Sequence, residues 1–192
     1  MIVRDRSTTN GRESTPPRKP LIRALATELG LMPPRRRMTT IDEQLVRAPL
    51  ETVFSIAANV EQWPTHLSHY RHVTFLERDP AGGGLVEMAA NRPFGIFGWP
   101  TWWVSEMGVR PPGGIRAPVI RFLHVRGITA GMEVEWSFLP ADGGTRVRIL
   151  HKWNGPRWPV IGGLVATLVI GPVFIHGIAS RTLAGLAHAA ER

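Results

Sequence analysis

From Thr39 onward, apolar and polar residues alternate with a period of two in stretch after stretch, as in strands that bury one face. Gly131–Leu139 is the clearest case: Met132, Val134, Trp136 and Phe138 alternate with Glu133, Glu135 and Ser137. Thr39–Val46, His69–Arg78, Leu85–Arg92, Trp99–Arg110, Ile115–Arg126 and Thr145–Trp153 carry the same pattern. Between them lie turn signals: Asp79-Pro80-Ala81-Gly82-Gly83-Gly84, Pro111-Pro112-Gly113-Gly114 and Ala141-Asp142-Gly143-Gly144. The spacing predicts an antiparallel meander with one buried and one wet face. The period changes after the first strand. Segments 50–58 and 60–67 read as two short helices joined near Asn59, the first turning Val53, Phe54, Ile56 and Ala57 inward and the second closing on Trp63-Pro64. Trp158–Glu191 is helical in composition and lacks Asp, Glu, Lys and Arg up to Ser180.

Charge divides the chain. Residues 1–38 hold nine basic and three acidic side chains, whereas the remaining 154 hold 14 and 12, so most of the +8 net charge sits in an N-terminal tail. Segment 1–20 offers little to bury and is expected to stay disordered. Leu21, Leu25 and Leu29 could form one short helix before Gly30 and Pro33-Pro34. The expected organisation is a basic tail over 1–38 and one domain over 39–192. No specific nucleic-acid partner is expected; Arg35-Arg36-Arg37 or the apolar C-terminal helix is a candidate contact with an anionic membrane. No apolar segment follows the N-terminal charges as in a secretory signal, so the expected location is cytoplasmic, with peripheral membrane contact open.

Strand parity selects the chemistry. On Trp99–Arg110, Glu106 and Arg110 take the solvent side, which turns Trp103, Ser105 and Met107 inward. The same rule brings Phe122 and His124, Met132 and Trp136, and Ile149, His151 and Trp153 to the inner face. Together with Trp63 these residues predict an apolar pocket with a few orienting polar groups. Trp63, Trp103, Met107, Phe122, Met132, Trp136, Ile149 and Trp153 are its candidate ligand-binding residues. Ser105, His124 and His151 are the candidate catalytic ones. The histidines suit acid–base work, or equally are core histidines satisfied by backbone. No Gly-x-Ser-x-Gly elbow surrounds Ser105. The absence of cysteine excludes thiolate chemistry. His66, His69 and His72 lack the carboxylate spacing of a metal site, and Gly82-Gly83-Gly84 is a turn without a phosphate-loop Lys. No metal or cofactor is expected.

Ala48-Pro49-Leu50-Glu51-Thr52-Val53-Phe54, Asn59-Val60-Glu61-Gln62-Trp63-Pro64, Gly131–Trp136 and Thr145–His151 resemble motifs of the START/Bet v 1-like superfamily. Within it the chain is most similar to the polyketide cyclase/dehydrase group and to coenzyme Q-binding START proteins. The resemblance covers about residues 39–191. It implies an α+β helix-grip fold: a curved antiparallel β-sheet wrapped around a long C-terminal α-helix, with two short helices after the first strand. A helix enclosed in that way is apolar nearly all round without lipid, and Pro172 is expected to kink it and widen the cavity mouth; the alternative for 158–180 is a membrane-touching or spanning helix. Aromatase/cyclases of the group carry Trp-x-Ser-x-Arg on a cavity strand, where the Arg orients the substrate. Here Trp103 and Ser105 match, and Met107 takes the Arg place. The resemblance implies a hydrophobic small-molecule ligand and two uses for it: cyclisation or dehydration of a polyketide-like substrate, or carriage of a lipid or quinone without catalysis.

Overall fold

The computed structural model describes residues 29, 32, 36–80, 82–94, 97–155 and 175–192, with backbone alone for 92–94 and 97–99. The expected tail helix, apart from Leu29, and the apolar stretch as far as residue 174, with its expected kink at Pro172, lie outside the described residues. Strand β1 (Met38–Val46) is followed by α1 (Leu50–Ala58), a 3-10 turn (Val60–Gln62) and α2 (Trp63–His66). Then come β2 (Tyr70–Arg78), β3 (Gly83–Phe94), β4 (Phe97–Arg110), β5 (Val119–Gly127), β6 (Glu133–Ala141) and β7 (Gly144–Trp153), and finally α3 (His176–Ala190). The strands form one seven-stranded sheet in the order β1-β7-β6-β5-β4-β3-β2, antiparallel at every pairing. The architecture is the α+β helix-grip fold. β1 and β2 are its edges, and the α1–α2 connection carries the chain from one edge to the other. α3 packs on β1 and against α1 and α2. Among the described residues no helix is long and apolar enough to cross a membrane.

Local chemistry accounts for these elements. Pro49 enters α1 in an extended conformation, and Asn59 ends it, its N–H returning to the Ser55 carbonyl. The apolar stripe Val53, Phe54 and Ala57 is buried, with Phe54 edge-on to Phe138 of β6 at 5.2 Å. The segment 60–67, expected as one helix, is a 3-10 turn that runs into α2 at Trp63-Pro64. Proline is tolerated there because the first helical N–H groups have no intrahelical acceptor. Ile115 is fully exposed, and β5 begins four residues later than its hydrophobic pattern suggests. The reason is Pro118, which has no N–H to give a ladder. At Gly144 (φ +153°) a Cβ would lie 2.1 Å from the Val46 carbonyl oxygen, so only glycine lets the β6–β7 hairpin pass under β1.

Registers set the inner face as rows across the sheet. One row runs Gly84, Met107, Phe122, Val134, His151 and Thr40; the next along the strands runs Val86, Ser105, His124, Met132, Trp153 and Met38. One expectation is corrected here. Glu106 points away from the helix, yet it is 7% exposed, and Val104 beside it 1%. The middle of β4 is therefore dry on both faces, with Leu85 and Leu123 flanking Glu106 across the ladders. At the end of the expected basic tail, Arg36 pairs with Glu133 at 3.6 Å, and Arg37 donates its backbone N–H to the Asn154 side chain.

Candidate ligand cavity

A cavity of about 50 Å³ lies between the sheet and α3. That is room for a few water molecules. β5, β6 and β7 supply Phe122, His124, Val134, Trp136, Ile149 and His151, with Met132 just before β6; β3 and β4 supply Met88 and Trp103. Trp63 and Tyr70 close one side, and Ile175, Ile178, Ala179 and Thr182 cover it from the helix. The helix residues recur at i, i+3, i+4 and i+7, one face of an α-helix.

The aromatic side chains form a continuous band. Trp63 stacks on Trp136 (centroids 5.2 Å, planes 20° apart) and meets Tyr70 edge-on at 5.0 Å. Tyr70 lies 6.1 Å from Trp103, which in turn stacks on His124 at 5.7 Å. Trp63 is also 5.8 Å from Phe122 and gives its indole N–H to the Ala57 carbonyl at 3.2 Å. That bond fixes the central ring of the band to α1, so its faces are committed to the cavity wall. Such contacts add to area burial through ring quadrupoles.

Three polar lining groups are each held by a partner. His124 Nδ1 lies 2.6 Å from the Thr129 hydroxyl, His151 Nδ1 3.4 Å from the Thr40 hydroxyl, and the Thr182 hydroxyl 3.0 Å from His69 Nε2. His124 and His151 stand on strands separated by β6 and are offset by one row. At about 4.8 Å per strand their backbones are ~12 Å apart. They can serve two different atoms of one ligand but cannot hydrogen-bond each other.

Of the residues singled out in the sequence, Trp63, Trp103, Phe122, His124, Met132, Trp136, Ile149 and His151 line the cavity. Ser105, Met107 and Trp153 face the same side of the sheet but lie outside the lining, each at most 2% exposed. Ser105 is shut in between Val86 and His124 across the ladders, and its hydroxyl has no hydrogen-bond partner among the described residues. Met107 belongs to the core cluster, and Trp153 turns its indole N–H to the Ala130 carbonyl at 3.2 Å. Tyr70 and Thr182 are the polar lining residues that strand parity missed. A register shift between Tyr70 and His72 breaks the alternation counted back from Val73, which hides Tyr70 from a period-of-two reading. Thr182 was readable in the helical spacing from Ile175.

Two buried carboxyls flank the site. Asp42, on the inner face of β1 opposite Ile149, is 4% exposed and paired with His176 at the start of α3. Burial raises its pKa above the usual range, with His176 opposing that shift. Burial alone raises Glu106. Among the described residues no cluster of three or more His, Asp or Glu is placed to hold a metal.

The fold has relatives among solved structures. Zhui aromatase/cyclase from Streptomyces sp. R1128 is 21% identical at a TM-score of 0.65, the match covering 80% of this chain and 93% of that one. A START superfamily protein from Mycobacterium smegmatis is 18% identical at 0.56, covering 80% and 94%. Ginseng major latex-like protein 151 from Panax ginseng is 7% identical at 0.59, covering 80% and 97%. At these identities the likeness is one of fold. The family model described as "Polyketide cyclase / dehydrase and lipid transport" matches residues 46–171, two thirds of the sequence and nearly the whole sheet. The chain belongs to the polyketide cyclase/dehydrase and lipid transport family.

Proposed function

We propose that this protein binds a hydrophobic, polyketide-like or aromatic molecule between the sheet and α3 and promotes its cyclisation or dehydration. The observation that carries this reading is the aromatic band from Trp136 through Trp63, Tyr70 and Trp103 to His124, which ends at an oriented imidazole inside the cavity. Flat apolar rings receive a flat conjugated ligand, and the histidines reach its polar edge.

In cyclisation, one histidine takes a proton from a carbon flanked by carbonyls. The resulting enolate carbon bonds to a second carbonyl carbon of the same chain, and the other histidine returns a proton to the alkoxide oxygen. In dehydration, the base removes the proton beside the new hydroxyl, the acid protonates that hydroxyl, and water leaves. The ~12 Å between the histidine backbones suits this division, because the two protons move at different ligand atoms. Holding the reacting carbons close supplies much of the rate. Met107 is buried outside the lining, so the arginine that orients the chain in aromatase/cyclases has no counterpart at that position. At about 50 Å³ the cavity must widen to admit a ring, and the wall formed by Ile175, Ile178 and Ala179 is the part that can yield without breaking the sheet.

Native mass spectrometry of protein purified from its host tests the binding reading: a small hydrophobic adduct is expected, and repeated adduct-free spectra would sink it. Turnover of a short poly-β-ketone thioester tests the chemistry. His124→Ala and His151→Ala should each abolish product while leaving affinity within a few-fold. Retention of the adduct with no conversion by the intact protein would instead identify a carrier.

A further inference from the structure

We propose that Thr182, oriented by His69, donates a hydrogen bond to a carbonyl oxygen of the bound molecule, making α3 the wall that selects an oxygenated ligand over its hydrocarbon counterpart. This rests on the cavity being the ligand site.

Thr182 is an anomaly in its helix. α3 has the sequence HGIASRTLAGLAHAA, and its other buried residues are Ala179, Leu183, Leu186 and Ala187. A β-branched residue lowers helix propensity, and a buried hydroxyl must be satisfied to avoid a desolvation cost. Threonine within a helix commonly turns its hydroxyl back to the carbonyl one turn earlier, here that of Ile178. Among the described residues Thr182 instead makes one hydrogen bond, to His69 Nε2 at 3.0 Å, while it lines the cavity at 2% exposure.

His69 is placed to keep this arrangement. It is 8% exposed, its carbonyl accepts the Asn91 N–H at 2.8 Å, and its ring lies 4.8 Å from that of Tyr70. With the Nε2–H tautomer, His69 donates to the Thr182 oxygen. A hydroxyl has one donor and two acceptor sites, so the Thr182 proton then remains for a third partner. The cavity is the space that this residue lines. An apolar wall with one oriented donor discriminates strongly, because a ligand lacking the acceptor leaves the donor buried and unpaired. The sheet carries His124 and His151 and the helix carries Thr182, so the preferred ligand presents oxygen atoms on two faces.

Acetophenone and cumene form the test pair, since they are close in size and differ at one carbon, which carries a carbonyl oxygen in the first and a hydrogen and a methyl group in the second. Their dissociation constants would be read from quenching of tryptophan fluorescence. Thr182→Val, which keeps the volume and removes the hydroxyl, should shift the acetophenone-to-cumene ratio about tenfold towards cumene. Thr182→Ser and His69→Gln retain the donor arrangement and should hold the ratio near that of the unmodified protein; His69→Leu should shift it as Thr182→Val does. If both probes bind and Thr182→Val leaves the ratio within twofold, the assignment to Thr182 is overturned and the ligand site stands. If neither probe binds the unmodified protein, the ligand site falls, and this assignment with it.

Discussion

The indole of Trp63, at the start of α2, stacks on that of Trp136 in β6 with centroids 5.2 Å apart and planes at 20°. This contact ties the connection that crosses between the sheet edges to the sheet's central strands. It also sets the middle of the cavity's aromatic wall. Trp63→Ala should therefore lower stability by about 3–5 kcal/mol, as large-to-small core replacements do. Trp63→Phe should cost less. Urea denaturation checks both; a change within 0.5 kcal/mol for the alanine variant, on the order of an ordinary surface substitution, would mean that the stack is dispensable.

Glu106 predicts a pH dependence. Burial holds its folded pKa above the usual glutamate range. The folded state therefore keeps its proton to higher pH than the unfolded state. The protonated carboxyl's contribution to stability is full below the unfolded pKa and is lost as pH rises through the folded one. Glu106→Gln removes the ionisation. The variant should gain stability relative to the parent at pH 8 but not at pH 3.5, measured as urea midpoints. A difference independent of pH would place the carboxylate in water.

Asp42 carries the same sign with an opposing partner. Its pKa is raised by burial, and His176 pulls it down. His176→Ala removes the opposition, so the folded pKa should rise further and the variant should lose stability as pH climbs from 4 to 8. Asp42→Asn in the same background should abolish that slope. Equal slopes in the parent and in His176→Ala would disprove the coupling.

Gly185 measures how closely α3 sits on α2. A Cβ there would lie 2.5 Å from Leu67 Cδ2 and 3.0 Å from the His66 carbonyl oxygen. Alanine gains about 1 kcal/mol in helix propensity, but overpacking costs about 1–3 kcal/mol, so Gly185→Ala should be neutral to destabilising. In a Leu67→Ala background the same change should be less harmful. Additive effects in this double-mutant cycle would mean that the two positions do not touch.

Met107→Arg tests whether position 107 reaches the cavity. Met107 is 1% exposed, opposite Gly84 and Phe122, and outside the lining. An arginine there is buried without a partner and should cost several kcal/mol, on the order of 3–5, lowering the melting temperature sharply. An unchanged melting temperature would show that the side chain can swing into the cavity.

Much of the fold was legible because strand alternation is a local property. Met132, Val134, Trp136 and Phe138 face inward whatever their neighbours are, and the turn glycines mark where the chain reverses. Cavity-lining residues on regular strands followed from the same count: Phe122, His124, Ile149 and His151. Tyr70 did not, since the register shift beside it is decided by pairing with β3 and leaves no mark in the spacing. Nor did the burial of Glu106, because its dryness is a property of what surrounds it, whereas parity reports only which side it points to.

The sequence by itself determined which residues face the inside of the sheet, since side-chain direction depends on backbone period alone. It also carried the family's motifs. The tertiary structure alone decided which inward residues line the cavity and which are packed shut. Ser105, Met107 and Trp153 share parity with His124 and Trp136, but their distance from α3 and from Trp63 depends on where the helix crosses the rows. That crossing arises from contacts between residues more than a hundred positions apart, such as His69 with Thr182 and Asp42 with His176. No local pattern encodes it.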